Sequence, residues 1–551
     1  MKNTVQKYTR YYDHFREFLN DISDRYGEKP AITTYGRGGK EQTHSYRQLA
    51  EDSFLFGRAL CAAGLAGKHI ALVGENSYEW IAAYFGIAVS GSVSVCIDIE
   101  HSDETMQDMI FQADAEAIVS SASMAEICSG IAQKASSPLR LIVIRPADSA
   151  FESFEAFCEA ARNNEEAGKL LNEVPLEKKT TASIVFTSGT TSTAKPVMLS
   201  HHGLLRNVGD SLTLLTSGER VFGALPLYHT YGITASVMCP LIRGLRVCVT
   251  CDLKRLLQEI NYFVPHTIVA VPLIIEALHK LAWSLIIKAG KKDAVIHKMK
   301  LEALLHRPFT LTKGDVTAAF HGTGLENLNV ILSGGAYLEK SIPQHFEHFG
   351  IIVLQGYGIT ECSPSISCNC NETFDHSSVG PVLPSYEVKI KDDEILVRGE
   401  ALMNGYYKAP ELTRESYEDG WFKTGDLGYI NKKGHLVITG RKKNLIVMKN
   451  GKKVSAEEME NEIRKMPLVK DVMVYGAQSG VSADDVKIAA MIYPDAAQTE
   501  HMSSYDILER LQRSIDQINS KLPTYKQIQM VNIRETDFDR TSSKKIKRHS
   551  I

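Results

Sequence analysis

Residues 183–201 have the sequence SIVFTSGTTSTAKPVMLSH, and this stretch is the most informative part of the chain. Ile184, Val185 and Phe186 form a short apolar run that predicts a buried strand. Small and mostly hydroxylated residues follow at 187–193, and Lys195 comes just after them. Backbone N–H groups and hydroxyls of such a loop donate hydrogen bonds to phosphate oxygens, and a nearby lysine adds positive charge. The stretch lacks a Walker A pattern, so it predicts a phosphate loop of another kind, with a Ser/Thr-rich linker as the alternative interpretation.

Short apolar runs alternate with helical patterns on both sides of this stretch. Before it, HIALVGEN, SVSVCIDI, EAIVSS and LRLIVIR predict buried strands, and YEWIAAYFGIAVSG predicts a helix between the first two. After it, RVCVTCD, HTIVAVP, NVILSGG and IIVLQGYG repeat the rhythm. Strands separated by helices predict parallel sheets, so the fold class is α/β.

The pattern changes to hairpins from about residue 379. YEVKIKDDEILVRG and GYINKKGHLVITGR each predict two strands around a polar turn, the second with Gly434 in its turn. Beyond Arg441, Ser455 and Glu458 form an S-x-x-E capping box that predicts the start of a helix. We therefore predict a large N-terminal domain, residues 1–440, made of parallel α/β subdomains plus a β-rich subdomain. A small α+β C-terminal domain, residues 441–551, follows it.

Composition narrows the classes of function. A chain of 551 residues is too long for one compact core, so at least two domains are expected. A formal net charge of -3 gives no excess of base to bind nucleic acid. The ten scattered cysteines predict reduced thiols and a cytoplasmic protein, and Cys248 and Cys251 form a C-x-x-C inside an apolar run that favours a plain strand. We expect neither a signal peptide nor a membrane-spanning helix.

The stretch at 183–201 resembles the phosphate loop of the adenylate-forming superfamily, which includes acyl-CoA synthetases, luciferases and peptide-synthetase adenylation domains. The family pattern is T-S-G-T-T-G-x-P-K-G. The chain keeps TSGTT and Lys195 but has Ser192, Ala194 and Pro196 where the family usually has Gly, Pro and Gly. The resemblance implies that Lys195 is catalytic and that Thr187 also contacts a metal ion. The implied ATP-binding residues of this loop are Thr187, Ser188, Gly189, Thr190, Thr191 and Lys195.

Further motifs resemble the same family and occur in its order. ALPLYHTYG implies that His229 is a catalytic residue near the acyl site. ILSGGAYL and LQGYGITE follow predicted parallel strands, at whose carboxyl ends ligands bind in open α/β sheets. Tyr357 is suited to stack on adenine, and Glu361 is a hard oxygen ligand suited to Mg²⁺. The implied nucleotide contacts here are Gly334, Gly335, Ala336, Gln355, Gly356, Tyr357, Gly358 and Thr360. GEALMNGYYKAPELT, residues 399–413, also resembles the family.

Three motifs after residue 419 complete the resemblance. GWFKTGDLGYI contains Asp426, a carboxylate that can accept both ribose hydroxyls. GRKKNLIVMKNGKKVSAEEME contains Arg441, implied to contact the nucleotide, and Lys443, implied to be the hinge of a mobile C-terminal domain. The tail TSSKKIKRHSI places Lys545 before Ile546, where the family has its catalytic lysine. Such a lysine stabilises the charge that develops around the α-phosphate.

The resemblance covers roughly residues 8–548 and implies an AMP-forming acid–thiol ligase that uses ATP, Mg²⁺ and coenzyme A. The implied reaction makes an acyl-adenylate and then a thioester. Helical material between residues 272 and 333 is similar to long-chain fatty acyl-CoA synthetases, so a medium- or long-chain fatty acid is the expected substrate. An aryl or short-chain acid, an acyl carrier protein as acceptor, and a non-catalytic nucleotide or acyl-adenylate binder stay open. Lys288, Lys291 and Lys292 are either a peripheral contact with anionic lipid or a solvated helix end.

Overall fold

The computed structural model of the chain describes residues 10–36, 39–187, 194–212, 218–250, 252–448, 452–478, 486–540, 546 and 548. Its contacts form two compact units. The first comprises Met1–Glu387 and Arg398–Tyr417, and the second comprises Val388–Val397 and Glu418–Ile551. The second unit therefore includes the hairpin formed by residues 421–441 and most of the hairpin formed by residues 386–399. The predicted domain boundary after residue 440 stays a prediction.

The α-helices of the described residues are mostly short and are distributed along the whole chain. They are α1 Phe15–Tyr26, α2 Tyr46–Ala62, α3 Tyr78–Val89, α4 Asp103–Gln112, α5 Ala125–Lys134, α6 Phe154–Glu159, α7 Glu165–Glu173, α8 His201–Ser211, α9 Thr230–Ile233, α10 Cys239–Ile242, α11 Leu256–Phe263, α12 Pro272–Lys288, α13 Lys292–Leu305, α14 Lys313–Phe320, α15 Ser341–His348, α16 Pro410–Glu415, α17 Ala456–Ile463, α18 Ala496–Thr499 and α19 Ser504–Asn519. None of these helices has both the length and the apolar character needed to span a bilayer.

The β-strands of the described residues include every apolar run quoted above. They are β1 Pro30–Tyr35, β2 Glu41–Ser45, β3 His69–Val73, β4 Val93–Ile97, β5 Ala115–Ser121, β6 Arg140–Ile144, β7 Glu152–Ser153, β8 Thr181–Thr187, β9 Lys195–Ser200, β10 Arg220–Gly223, β11 Arg246–Val249, β12 Thr267–Ala270, β13 Val330–Ser333, β14 Ile352–Gly358, β15 Ser365–Cys368, β16 Tyr386–Lys391, β17 Glu394–Gly399, β18 Gly405–Tyr406, β19 Tyr417–Glu418, β20 Trp421–Ile430, β21 Leu436–Arg441, β22 Leu445–Val447, β23 Lys453–Ser455, β24 Val469–Gln478, β25 Val486–Pro494 and β26 Met530–Ile533.

Two eight-stranded sheets dominate the first unit. One has the strand order β15-β14-β13-β12-β10-β11-β1-β2, and the other has the order β18-β9-β8-β4-β3-β5-β6-β7. The central strands of both sheets pair in parallel, as predicted. Antiparallel strands complete the edges, namely β2 and β15 in the first sheet and β9 with β18 in the second. The predicted α/β class is confirmed, with mixed edges that the sequence pattern did not indicate.

Apolar side chains of both sheets are covered by helices. All twelve residues of α3 are buried, which agrees with a sequence that is apolar on every side of the helix. The first sheet has a hydrophobic core that contains Phe222 and Ile268 of its strands. These residues pack with Ile286 of α12, Val295 of α13 and Phe346 of α15. The helical material between residues 272 and 320 therefore packs its inner side onto the sheet that carries His229.

The second unit contains the predicted hairpins and the C-terminal α+β part. Gly434 has a positive φ in the turn between β20 and β21, as the hairpin prediction requires. The side chain of Ser455 accepts a hydrogen bond from the N–H of Glu458, so this predicted helix start is present. The carboxylate of Glu458 binds Lys526 instead of returning to Ser455, while a complete capping box occurs at Ser503, at the start of α19.

Candidate active site

The predicted phosphate loop connects two antiparallel neighbours, β8 and β9. Thr187 ends β8 and lies opposite Lys195, which begins β9. Strand β8 also pairs in parallel with β4, so it is held from both sides. The predicted loop residues Ser188, Gly189, Thr190 and Thr191 lie outside the described residues. The hairpin nevertheless defines where the loop begins and ends, at Thr187 and Lys195.

Tyr406 connects Lys195 to Glu361. Its hydroxyl donates a hydrogen bond to Oε1 of Glu361 over 2.9 Å, and the Lys195 ammonium lies 5.3 Å from the centre of its ring. The side chain is buried, and burial together with the negative charge of Glu361 raises the pKa of Tyr406, so the hydroxyl stays protonated and donates. One tyrosine therefore holds a predicted phosphate-binding cation and a predicted metal-binding carboxylate close together.

Backbone contacts give Tyr406 this position. Strand β18 pairs with β9, so that Tyr406 lies opposite Val197, and its N–H donates to Oγ1 of Thr413. The N–H of Met403 donates to the carbonyl oxygen of Glu361 over 2.9 Å. Tyr406 was not among the predicted site residues, although it lies in the string GEALMNGYYKAPELT, whose resemblance to the family was the available signal.

Two glycine-containing segments lie side by side at the carboxyl ends of β13 and β14. Ser333 and Gln355 are paired in register, so the predicted nucleotide contacts that follow each of them are neighbours. A Cβ on Gly334 would lie 2.8 Å from the ring of Tyr231, and a Cβ on Gly358 would lie 1.9 Å from the carbonyl oxygen of Pro364. The aromatic ring of Tyr231 therefore lies against the backbone at Gly334. Only glycine fits at 358, because the carbonyl group there cannot move independently of the chain.

His229 lies at the carboxyl end of the same sheet, six residues after β10. It is half-buried at the start of α9 and lines a small pocket. Buried Asn76 holds the segment before it, because Nδ2 donates to the carbonyl oxygen of Leu225 and Oδ1 accepts from the N–H of Leu227. The pocket is lined by Cys96, Asp98, His101, Met109, Phe186, Tyr228 and His229. The structure thus brings the predicted acyl-site histidine close to Phe186, which comes just before the phosphate loop.

In the second unit, the structure brings the predicted ribose carboxylate and the predicted nucleotide arginine together. Asp426 on β20 and Arg441 on β21 lie opposite each other, with Oδ1 of Asp426 2.8 Å from Nε of Arg441. Asp426 is 3% exposed, so this pairing offsets the cost of burying its charge. Lys443, the predicted hinge, lies in the short helical turn Lys442–Asn444 that directly follows β21.

Lys545 lies outside the described residues, but residues on both sides of it are held within the second unit. Arg540 forms an ion pair with Asp471 and a bridge with Ile546. Arg548 forms an ion pair with Glu460 over 2.7 Å and donates to the carbonyl oxygen of Val474. The tail that carries the predicted catalytic lysine is therefore anchored before and after that lysine.

Comparison with known proteins gives the family of this chain. The model of the AMP-binding enzyme family matches residues 19–407, and the model of the AMP-binding enzyme C-terminal domain matches residues 443–551. The chain belongs to the AMP-binding enzyme family. Its second family match begins at residue 443, the predicted hinge position. The recognition of the adenylate-forming superfamily and the predicted class of AMP-forming acid–thiol ligase are confirmed.

Named relatives point to acyl activation with different acids and acceptors. The long-chain-fatty-acid–CoA ligase FadD15 of Mycobacterium bovis is 30% identical over 75% of this chain and 71% of its own length. The long-chain-fatty-acid–[acyl-carrier-protein] ligase AEE15 of Arabidopsis thaliana is 25% identical over 90% of this chain and 78% of its own length. The crystal structure of the anthranilate CoA ligase AuaEII with anthranoyl-AMP has a TM-score of 0.77 at 18% identity, covering 99% and 97% of the two chains, which shows the shared fold.

Proposed function

We propose that the chain converts a carboxylic acid and ATP to an acyl-adenylate and then transfers the acyl group to coenzyme A, releasing AMP and pyrophosphate. The observation that carries this proposal is the placement of Lys195, Tyr406 and Glu361 beside the two ends of the phosphate loop. A cation and a carboxylate held on one tyrosine suit the binding of triphosphate oxygens together with Mg²⁺. The family match supports the same chemistry.

The proposed chemistry has two displacement steps. First, a carboxylate oxygen of the acid bonds to the α-phosphorus of ATP, and the bond from that phosphorus to the β-bridging oxygen breaks as pyrophosphate leaves. Second, the thiol sulfur bonds to the acyl carbon, the bond from that carbon to the AMP oxygen breaks, and the thiol proton passes to solvent. The first step gathers negative charge at phosphate oxygens, which Lys195 and Lys545 are proposed to neutralise.

Glu361 is the residue that we propose to hold Mg²⁺, with Thr187 as a second contact. Mg²⁺ typically binds one or two protein carboxylates and completes its coordination with phosphate oxygens and water. Among the described residues no group of three or more His, Cys, Asp and Glu side chains could hold a metal ion by itself. The residues present therefore fit an ion that is held largely by ATP. When bound, Mg²⁺ would neutralise charge on the leaving pyrophosphate.

A medium- or long-chain fatty acid is the substrate that we propose. The relative FadD15 carries such a substrate in its name, and the helices α12, α13 and α14 add an apolar layer to the sheet that holds His229. An aryl acid is a second candidate, because the structural neighbour AuaEII binds anthranoyl-AMP in the same fold. A carrier-protein acceptor is favoured only by the relative AEE15.

Pyrophosphate release with ATP and Mg²⁺ tests this proposal across a panel of acids, from acetate through octanoate and palmitate to benzoate and anthranilate. We expect the rate to rise with apolar chain length and to continue over many turnovers only when coenzyme A is present. A single turnover that coenzyme A does not prolong would instead favour a carrier protein as acceptor. No release with any acid, by a chain that still binds ATP, would contradict the proposal and favour a non-catalytic binder.

A further inference from the structure

The outward side of α13 exposes an unusual number of leucines. The helix buries only Val295 and Glu302 fully, and Met299 is partly buried against the core. Three leucines are exposed on the other side of the helix, and a fourth is exposed in the segment that joins α13 to α14. We call them the leucine patch: Leu301, 40% exposed, Leu304, 76%, Leu305, 57%, and Leu311, 39%. Single exposed leucines need no explanation, but a cluster on one short segment indicates a binding surface.

Basic side chains flank this patch. With 3.6 residues per turn, Lys298 and Lys300 lie on opposite sides of the strip formed by Leu301, Leu304 and Leu305. Lys298 forms an ion pair with Asp315 over 2.6 Å, so Lys300 and Arg307 supply the charge that a partner would meet. Arg307 follows the helix and is exposed. Residues 272–321 contain eight Lys and Arg against four Asp and Glu, a net charge of +4, while the whole chain carries -3. This region is thus positively charged, although the chain as a whole carries a small negative charge.

We infer that the leucine patch and its basic rim dock onto the surface of an anionic phospholipid bilayer. A helix with apolar side chains on one face and lysines beside them binds in the interface of such a membrane, because the leucines enter the acyl boundary while the ammonium groups reach the headgroups. A second copy of the chain is disfavoured as the occupant, because a symmetric contact would place two positive rims together. This inference does not depend on which acid the enzyme activates.

Vesicle flotation of the full chain tests the inference. The two kinds of vesicle are phosphatidylcholine alone and phosphatidylcholine with about one third phosphatidylglycerol. We expect binding only to the anionic vesicles, with most of it lost when the salt concentration rises from 50 to 500 mM. The double variant Leu304→Ser/Leu305→Ser should weaken binding by at least about tenfold, and Lys300→Gln/Arg307→Gln by about tenfold.

Tyr505→Ser is the matched control, because Tyr505 is 74% exposed but lies on α19, in the second unit. It should bind anionic vesicles as the unchanged protein does, and thermal unfolding should show that all variants are folded. Equal binding to both kinds of vesicle, or unchanged binding by the leucine double variant, would overturn the inference. A dimer in lipid-free buffer that the leucine substitutions dissociate would also overturn it, since a second copy would then cover the patch.

Discussion

A single side chain, that of Tyr406, connects Lys195, a predicted ATP-binding residue, to Glu361, the predicted metal ligand. Replacing Tyr406 by Phe removes the hydrogen bond to Glu361 but keeps the ring beneath Lys195. A hydrogen bond to a charged group contributes about 1.5–3 kcal/mol, so the carboxylate should lose its fixed orientation. We expect the Mg²⁺ concentration needed for half-maximal ATP binding to rise about tenfold, measured by calorimetry in the absence of any acid.

The neighbouring Tyr407 offers a control of the same chemistry. Its hydroxyl also donates to a carboxylate, that of Asp114, and this hydrogen bond is exposed to solvent. Partial burial of the ring and the charge of Asp114 raise the pKa of Tyr407 to about 12, so this hydroxyl also stays protonated. Tyr407→Phe should leave the Mg²⁺ dependence of ATP binding unchanged. If both variants shift that dependence equally, or if neither does, Tyr406 does not position Glu361.

At the scale of elements, the ion pair between Arg548 and Glu460 anchors the C-terminal tail to α17. Burial raises the pKa of this 2%-exposed carboxylate, and Arg548 opposes that shift because its positive charge favours the ionised form. Because Lys545 lies three residues before Arg548, Arg548→Gln should displace it. We expect acyl-adenylate formation to slow by about ten- to a hundredfold. This is less than the about hundred- to thousandfold cost of removing one transition-state donor, because the lysine is displaced and not removed.

Half-reactions separate this positioning role from general damage. The same variant, given a chemically prepared acyl-adenylate and coenzyme A, should form the thioester at nearly the normal rate, because that step releases no pyrophosphate. Arg513→Gln, which removes a surface ion pair with Glu509 on α19, should change neither half-reaction. A variant of Arg548 that loses both half-reactions equally would mean that the ion pair serves only to fold the second unit.

Local elements could be predicted well, because their signals are local. The runs HIALVGEN and IIVLQGYG contain β3 and β14, and the turn at Gly434 forms where the hairpin pattern predicted it. The pairing of β1 with β11 joins residues more than two hundred positions apart, and no local pattern encodes that choice. The same limit applies to Tyr406, which reaches Glu361 only because β18 pairs with β9.

For the whole molecule, site residues were predicted from family motifs, and the structure shows which of them meet. Asp426 and Arg441 are paired through a hairpin, and Lys195 and Glu361 through Tyr406. Their roles stay predictions, as do those of Lys443, His229 and the glycines at 334, 335, 356 and 358. The Gly358→Ala substitution would clash with the carbonyl oxygen of Pro364, so a role in nucleotide binding cannot be read from that variant alone.

The proposed reaction begins with attack of the acid on the α-phosphorus of ATP. The direct measurement uses the best acid of the panel with both carboxylate oxygens replaced by ¹⁸O, together with ATP, Mg²⁺ and coenzyme A, and weighs the products by mass spectrometry. If an acyl-adenylate forms, the bridging oxygen stays with the nucleotide, so each AMP carries one ¹⁸O and each thioester keeps the other. Release of ADP with ¹⁸O in inorganic phosphate, or AMP without ¹⁸O, would show that the acid does not attack the α-phosphorus.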